Sequence, residues 1–583
     1  MSRVPNHNGV GVASWRFVVC VAVLLFLALA LIGRLVVLQI LDVEQGQRFL
    51  QNQGDARTVR YAQIPAHRGA ILDRNGQPLA VSTPVMTVSL NPQQFDVENL
   101  GALAQMLDLN AKALRQRFAQ YQDRQFMYVK KHLTPEQTSP LLVSGMSGVT
   151  VQRDYKRFYP AADLTAQLVG LTGDGESGLS GLELAFDHIL SGTPGRKKYI
   201  KDRSGKAVRD IGIESTASDG RDVALSIDLR LQYVQYRALQ TVVAKSGALA
   251  ASAITVDSQT GEVLAASNYP SFNPNDRSTF SASAARNHVF VDQYEPGSTL
   301  KALTAVAALE TGRYTKDSVF DTSPGWMVVQ GKTFKDPVDY GELTLAGVLA
   351  KSSQIGTTKL ALDLGRDALL PVLQRFGVGQ PLGTGFPGEA MGTLPQQSRW
   401  SDIEQATLAF GYGVTVSPAQ LASFYSAIAN SGRLQPLTLL ASSGRQLASA
   451  QTVTSPAIAR ELRDMLVSVA AKGGTGILAN VPGFSVGGKT GTVHKAGAGG
   501  YDRKRYIAWF AGMAPAENPR FVTVVMVNEP KGDSVGGGAV AAPVFADMTA
   551  AMLRILGEAP RIQPAVIQLA ATDLVSAQEA SDG

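Results

Sequence analysis

Along the chain, apolar residues first gather in one unbroken run, Phe17 to Gly33 (FVVCVAVLLFLALALIG), and resume after Arg34 as LVVLQIL. A helix needs about 20 apolar residues to cross a bilayer, and this run supplies them with Arg34 snorkelling near one end. Arg3 and Arg16 precede it without an acidic residue, whereas Asp42 and Glu44 follow it. That asymmetry predicts a cytoplasmic stretch over 1–16, a membrane anchor over 17–41 and an extracytoplasmic remainder. The rival reading is a cleaved signal peptide, since Ala28-Leu29-Ala30 resembles a cleavage site. The apolar character continuing past Ala30, with no polar stretch before it, favours the uncleaved anchor.

Beyond the anchor the pattern is mixed over 42–221. The stretch HRGAILDRNGQPLA (His67 to Ala80) reads as strand, turn and strand, with Asn75-Gly76 as the turn. Amphipathic spacing predicts helix from about Leu100 to Tyr121. RFYP (Arg157 to Pro160) and GLSGLE (Gly178 to Glu183) follow, and none of these segments offers catalytic chemistry. The region reads as a structural or docking module.

From Asp222 the texture changes. DVALSID reads as a strand, LRLQYVQYRALQTVV as a helix, and ASAITVD and EVLAASN as two strands joined by the turn residues SQTG. Helical spacing then predominates from Ser298 to about Leu440. Three strand-like runs come late: Phe484 to Val493, Tyr506 to Ala514 and Phe521 to Glu529. The helix VFADMTAAMLRIL closes the unit. Two early and three late strands around a helical middle predict an α+β domain over 222–560, one antiparallel sheet covered by helices. The remainder, 561–583, is polar and Ala-rich and reads as a tail of low order.

Composition changes this picture only at its edges. A hydrophobic content of 45% with 17% charged residues describes a chain with a substantial core. A net charge of +6 is small for 583 residues and gives no reason to invoke nucleic acid. The single cysteine, Cys20, lies in the apolar run, which excludes an intrachain disulfide and a cysteine-based metal site. The six histidines show no HExxH or comparable spacing, so no metal and no cofactor is expected.

Candidate chemistry begins at EPGSTLKALTAV (Glu295 to Val306). Pro-Gly breaks what precedes it, Ser298 stands where a helix cap would, and Lys301 follows one turn later on the same face. Alone, the stretch reads equally well as a cap and a solvated lysine. Two further stretches are KSSQIG (Lys351 to Gly356) and GGKTGT (Gly487 to Thr492). Gly483 through Thr490, GFSVGGKT, also fits the GxxxxGK[ST] phosphate-loop pattern. That loop must open a helix toward the phosphates, yet the next residues, GTVHKAGAGG, are β-branched and Gly-rich, and the anchor places them away from cytoplasmic nucleotide. Taken together the three stretches instead give SxxK, an SxN-like element and KTG, the set of penicillin-binding proteins and serine β-lactamases.

The resemblance extends beyond that set. RGAILDRNGQPLA, RFYP and GLSGLE resemble the N-terminal motifs of class B penicillin-binding proteins. YEPGSTLK, VSPAQLA (Val416 to Ala422) and GGAVAAPVF (Gly537 to Phe545) resemble their transpeptidase domain. Coverage runs from the anchor to about residue 555. Motif wording and the single anchor are most similar to the division-type branch, the FtsI or penicillin-binding protein 3 family, with the elongation-type branch next.

The resemblance implies an elongated N-terminal module of the pedestal or dimerisation type over 42–221. Over 222–560 it implies a penicillin-binding transpeptidase domain, a five-stranded antiparallel sheet flanked by helices plus an all-helical subdomain. It implies an inner-membrane protein with a periplasmic catalytic domain that cross-links peptidoglycan stem peptides through a serine acyl-enzyme and is inhibited by β-lactams. Ser298 would be the nucleophile and Lys301 its base. Ser352 would relay protons, and Lys489 with Thr490, Gly491 and Thr492 would hold the substrate carboxylate. Backbone N–H groups of Ser298 and Thr492 would form the oxyanion hole. A base near neutrality requires Lys301 to fall about three units below a free lysine, with burial and the Lys489 cation as the expected causes. Gln354 stands where the family usually has Asn, so donor or β-lactam preference is in question. Implied partners are an FtsW-type lipid-II polymerase and other divisome proteins.

Several readings compete. A β-lactamase would need a deacylating Glu-x-x-Leu-Asn segment, and Glu389 in GFPGEAMGT lacks the asparagine. A D,D-carboxypeptidase would leave the long N-terminal region unexplained. An elongation-type or conditional paralogue would share the chemistry, and a non-catalytic penicillin-binding sensor or scaffold would not need all four catalytic side chains.

Overall fold

The first apolar run folds as a single helix, α1 (Ser14–Gln39), in a computed structural model that describes residues 13–39, 59–173, 175–201, 207–442, 446–497 and 500–560. Its side chains are exposed from Ser14 to Val36, and it is long and apolar enough to cross a membrane. The anchor's last two residues, the start of the next module and the tail 561–583 lie outside the described residues.

In the N-terminal module the long strand Pro78–Leu90 pairs antiparallel with Val149–Phe158, Met127–Leu133 and Ile71–Leu72. The predicted Asn75-Gly76 turn is present. The Asp73 carboxylate accepts from the N–H groups of Asn75 and Gln77, and Gly76 sits at φ +80°. The helix predicted over 100–121 is two helices, Leu100–Met106 and Ala111–Gln120. Asn110 starts the second by accepting from the Ala113 N–H, a cap the hydrophobic spacing alone does not reveal.

The three motifs of this module, distant in sequence, meet at one buried ion cluster. Glu183 receives Arg68 at 2.7 Å and Arg157 at 2.7 Å, and Arg68 also reaches Asp187 at 2.6 Å. Arg68, Arg157 and Glu183 are all buried. Buried charges of this kind persist only when paired and hydrogen-bonded, so the motifs are read as architecture.

The second unit is built on strands β1 (Ala250–Asp257), β2 (Val263–Tyr269), β3 (Gly487–Gly497), β4 (Gly500–Ala514) and β5 (Phe521–Asn528). They form one antiparallel sheet in the order β2-β1-β5-β4-β3, which leaves β3 at an edge. Period-two alternation sends Ile254, Val256, Trp509, Val522 and Val524 to one core and Ala253, Phe510, Val525 and Val527 to another. Helices α2 (Leu229–Ser246) and α8 (Gly537–Ile555) supply Leu239, Phe545 and Met548 to the second core. The first is completed by α3 (Lys301–Glu310), α6 (Pro418–Ala429) and α7 (Pro456–Ala470).

The stretch from Ser298 to Leu440 is not helical throughout. Two small hairpins interrupt it, Val319–Asp321 with Glu342–Thr344 and Trp326–Val329 with Lys332–Lys335, and residues 376–401 contain no helix. The tighter hairpin turns at Gln330-Gly331, both at positive φ, the conformation that two-residue hairpin loops require. The subdomain expected to be all-helical is therefore mainly helical with a β insertion.

Candidate active site

Ser298 does not cap a helix. It lies inside a 3₁₀ turn, Gly297–Leu300, where Pro296 holds the cap position and no side-chain cap bond forms. Among the described residues nothing hydrogen-bonds its hydroxyl, and the residue is partly exposed. The turn runs directly into α3, which carries Lys301 and buries nearly every residue. Its backbone is pressed against the edge strand β3, and two glycines permit the approach. A Cβ on Gly491 would lie 2.9 Å from the Pro296 carbonyl oxygen, and one on Gly297, at φ +55°, would lie 2.4 Å from Val493.

Lys301 is buried, and its Nζ donates to the Ser352 carbonyl at 2.6 Å, the Ser353 carbonyl at 3.0 Å and Ser352 Oγ at 3.3 Å. Ser352 lies in the break between α4 (Leu345–Lys351) and α5 (Gln354–Arg375), in the left-handed region at φ 57° and ψ 36°. A non-glycine residue there costs about 1–2 kcal/mol, so surrounding contacts must impose it. On its other side Ser352 Oγ accepts from Lys489 Nζ at 2.9 Å. One hydroxyl thus joins two lysines that are 188 positions apart in sequence.

Lys489 projects inward from β3 and is fully buried, with further bonds to the Thr490 carbonyl at 3.2 Å and Oγ1 at 3.5 Å. The Thr490 hydroxyl is also 2.9 Å from that of Thr475. Thr492 is exposed on the edge strand, its hydroxyl accepting from the Gly537 N–H at the start of α8. Gly491 between them is buried under the Ser298 turn. β3 continues in extended form through Gly497, so the segment matching the phosphate-loop pattern opens no helix.

Burial pushes Lys301 down to about 7, and Asp336 opposes that shift. Lys489 is pushed well below the usual lysine range by burial first and by the Lys301 charge second. Burial is the first cause at both lysines, and the repulsion between the two buried ammonium groups disfavours charging both together. The pair does not hold two full charges at neutral pH.

Asp336, which the sequence reading missed, organises this corner. It is buried, and its Oδ1 accepts from the Gln354 N–H at 2.5 Å while Oδ2 accepts from the Ser353 hydroxyl. Ser353 in turn accepts from the Gly356 N–H at 2.9 Å, capping α5. Asp336 thereby fixes the turn that holds Ser352. Gln354 is partly exposed, and among the described residues its side chain makes no hydrogen bond. No local pattern links Asp336 to a residue eighteen positions later, so only the fold reveals it.

Chemically, the site offers a free hydroxyl on a turn, a buried amine near neutrality one turn along, a second amine, and a shared hydroxyl between them. That set suits acyl transfer onto and off a serine. Glu389 takes no part, because its carboxylate accepts from the N–H groups of Gly383 and Thr384 and from the Thr384 hydroxyl.

Comparison with known proteins agrees over most of the chain. Residues 251–550 match the family described as the penicillin binding protein transpeptidase domain, and residues 63–225 the penicillin-binding protein dimerisation domain. Similar proteins include the probable peptidoglycan D,D-transpeptidase PbpC of Pseudomonas aeruginosa, 41% identical over 94% of this chain and 96% of that one. The peptidoglycan D,D-transpeptidase FtsI of Escherichia coli is 39% identical over 94% and 93%. Among solved structures, a peptidoglycan synthetase from Bifidobacterium adolescentis aligns with a TM-score of 0.69 at 26% identity, covering 87% of this chain and 98% of that one. The transpeptidase domain of Burkholderia pseudomallei penicillin-binding protein 3 aligns at 0.54 and 42% identity, covering 58% and 98%.

Proposed function

The chain belongs to the penicillin-binding protein transpeptidases, and on that premise we propose that it is a peptidoglycan D,D-transpeptidase of septal wall synthesis working through a Ser298 acyl-enzyme. The observation that carries the reading is the single hydroxyl, Ser352 Oγ, bonded by both Lys301 and Lys489 beside the Ser298 turn. Neutral Lys301 takes the Ser298 proton as Oγ attacks the carbonyl of a terminal D-Ala-D-Ala. Ser352 passes a proton to the departing D-Ala amine, and the reverse relay serves the acceptor amine when it attacks the acyl-enzyme.

Lys489, Thr490 and Thr492 bind the terminal carboxylate, with Gly491 giving the strand its close approach to the turn. A bound carboxylate favours the charged form of Lys489, and that charge in turn disfavours charge on Lys301. The N–H groups of Ser298 and Thr492 form the oxyanion hole, worth about 3 kcal/mol per donor in such sites. Gln354 reaches the donor peptide's amide. β-Lactams acylate Ser298 as substrate mimics.

The helix α1 anchors the protein in the inner membrane with its short N-terminus cytoplasmic. An FtsW-type lipid-II polymerase and other divisome proteins are the partners of this reading. Covalent labelling by a fluorescent penicillin tests the chemistry: wild type is labelled and Ser298→Ala is not. Labelling that survives Ser298→Ala overturns it. A second reading, a conditional paralogue with the same chemistry, rests on the likeness to PbpC. Filamentation on depletion supports the septal role, and normal division supports the paralogue.

A further inference from the structure

The N-terminal module holds a cleft that the acyl-transfer site does not use. One wall is a three-stranded antiparallel sheet, Val59–Ile64, Gly195–Lys201 and Ala207–Ser215. Pairing sets Arg60 opposite Tyr199 and Ala62 opposite Lys197, and all four line the cleft. The other wall includes the start of the strand Val149–Phe158. There Val149 and Val151 pack on the outer core, whereas Thr150 and Gln152 alternate with them, are exposed and line the cleft. Two packed sheets normally close to about 10 Å by interdigitating apolar side chains. Here the residues between the sheets are largely polar, and a cavity of about 1200 Å³ remains.

The walls define what suits this space. Phe126 lines it while 48% exposed, its ring held edge-on by Tyr128 at 4.7 Å. The side-chain amides of Gln125 and Gln152 and the guanidinium of Arg209 also line it, and among the described residues they make no hydrogen bond or ion pair. Each amide both donates and accepts, so the two together satisfy hydroxyl and acetamido groups in either direction. Lys197 is paired with Asp210 at 2.5 Å. Arg60 and Arg209 then outweigh the one carboxylate of the cleft, which favours an anionic group on the ligand. A fixed aromatic face ringed by amides suits a saccharide, whose C–H face lies on the ring while its hydroxyls bond the amides. A protein interface is centred on an apolar core, whereas amides, hydroxyls and cations predominate on these walls. The volume exceeds the ~300–1,000 Å³ of a pocket for one small molecule and so fits an extended ligand.

Resting on the acyl-transfer reading, which makes peptidoglycan the substrate, we propose that this cleft binds a glycan strand of the same polymer. Phe126 stacks on a sugar ring, Gln125 and Gln152 bond its hydroxyl and acetamido groups, and Arg209 takes a stem-peptide carboxylate. The cleft has no part in acyl transfer itself. It retains the polymer whose stems Ser298 consumes, which raises their local concentration at the active site.

The test uses the full-length protein in detergent, first acylated by benzylpenicillin so that stems cannot enter the Ser298 site. Two soluble ligands are compared: glycan chains freed of cross-links but keeping their stems, and the same chains stripped of stems by an amidase. Wild type is expected to bind both, the stem-bearing chains more tightly. Phe126→Ala should weaken both by about tenfold, and Arg209→Ala should weaken only the stem-bearing chains by about that factor, each the loss of one good contact. Both variants should be acylated by benzylpenicillin at the wild-type rate. If Phe126→Ala fails to fold, Gln152→Ala takes its place with the same expectation. Chains that bind wild type and variants alike, or that do not bind wild type, overturn the glycan site and leave the cleft to a polypeptide or to water. If benzylpenicillin does not acylate wild type, the acyl-transfer reading fails, while the same comparison on unacylated protein still decides the cleft.

Discussion

Lys301 is a buried amine whose neighbours are mostly carbonyls and hydroxyls, and its proton is the quantity that the corner around Ser352 controls. Its pKa of about 7 leaves it half neutral near pH 7. Because the base is the deprotonated form, acylation should fall tenfold per pH unit well below 7 and level off above it. A β-lactam acylation profile with its acid limb near pH 10 would contradict this. Asp336 raises the Lys301 value, so Asp336→Asn should move that acid limb to lower pH. The same change weakens the charged acceptor at the start of α5, with a cost of about 1 kcal/mol read as a lower melting temperature. Gln354 makes no internal side-chain bond among the described residues, so Gln354→Asn should alter the acylation rate while leaving thermal stability unchanged. Altered stability with unchanged kinetics would give the side chain a structural role.

Between the turn and β3, fit is decided by atoms that glycine lacks. Gly491→Ala places a methyl 2.9 Å from the Pro296 oxygen, at the cap of the Ser298 turn, and 3.0 Å from Thr299 Cγ2 within it. A displacement of about 1 Å at reacting atoms costs roughly 100-fold, so acylation should drop by that order while circular dichroism remains native. Acylation at the wild-type rate would mean that the turn yields freely. The five strands themselves were legible, because β1, β5 and the inner part of β4 are apolar runs bounded by turn residues. The far end of the β3–β4 hairpin was not, since Lys495 to Gly497 and Gly500 to Asp502 carry no strand pattern and are extended through pairing with each other. The break at Ser352 was equally silent: Lys-Ser-Ser-Gln contains no helix breaker, and its left-handed geometry is imposed by Asp336 and the two lysines. Ser298, Lys301 and Lys489 were visible as motifs, whereas Asp336 is placed by pairings that only the tertiary fold creates.

Across the chain, the N-terminal module is not one independent body. Its outer part has its own core, in which Leu103 and Phe118 pack with Val88 and Met127. Its inner part shares a core with the catalytic unit: Ile71, Leu79, Tyr159 and Leu190 belong to the same cluster as Ile254, Val306 and Trp509. The buried Arg68–Glu183–Arg157 cluster sits on this inner part, where Arg157 also bonds the Gly69 carbonyl. Two substitutions should therefore behave differently. Phe118→Ala opens a cavity in the outer core, costing about 3–5 kcal/mol there, and should leave the acylation rate of Ser298 unchanged. Glu183→Ala removes the carboxylate shared by two buried guanidinium groups and leaves Arg157 without an ion pair among the described residues, while Arg68 keeps Asp187, a loss of about 3–5 kcal/mol at the shared core. Calorimetry should then show the catalytic unit melting earlier in Glu183→Ala, with reversal of that shift by acylation at Ser298, while Phe118→Ala lowers only the transition of the outer core. If both variants lower the same transition equally, the outer core is coupled to the catalytic unit as tightly as the inner one. The module would then transmit load from its far end to the sheet, rather than buttressing the site only where Arg68, Arg157 and Glu183 meet.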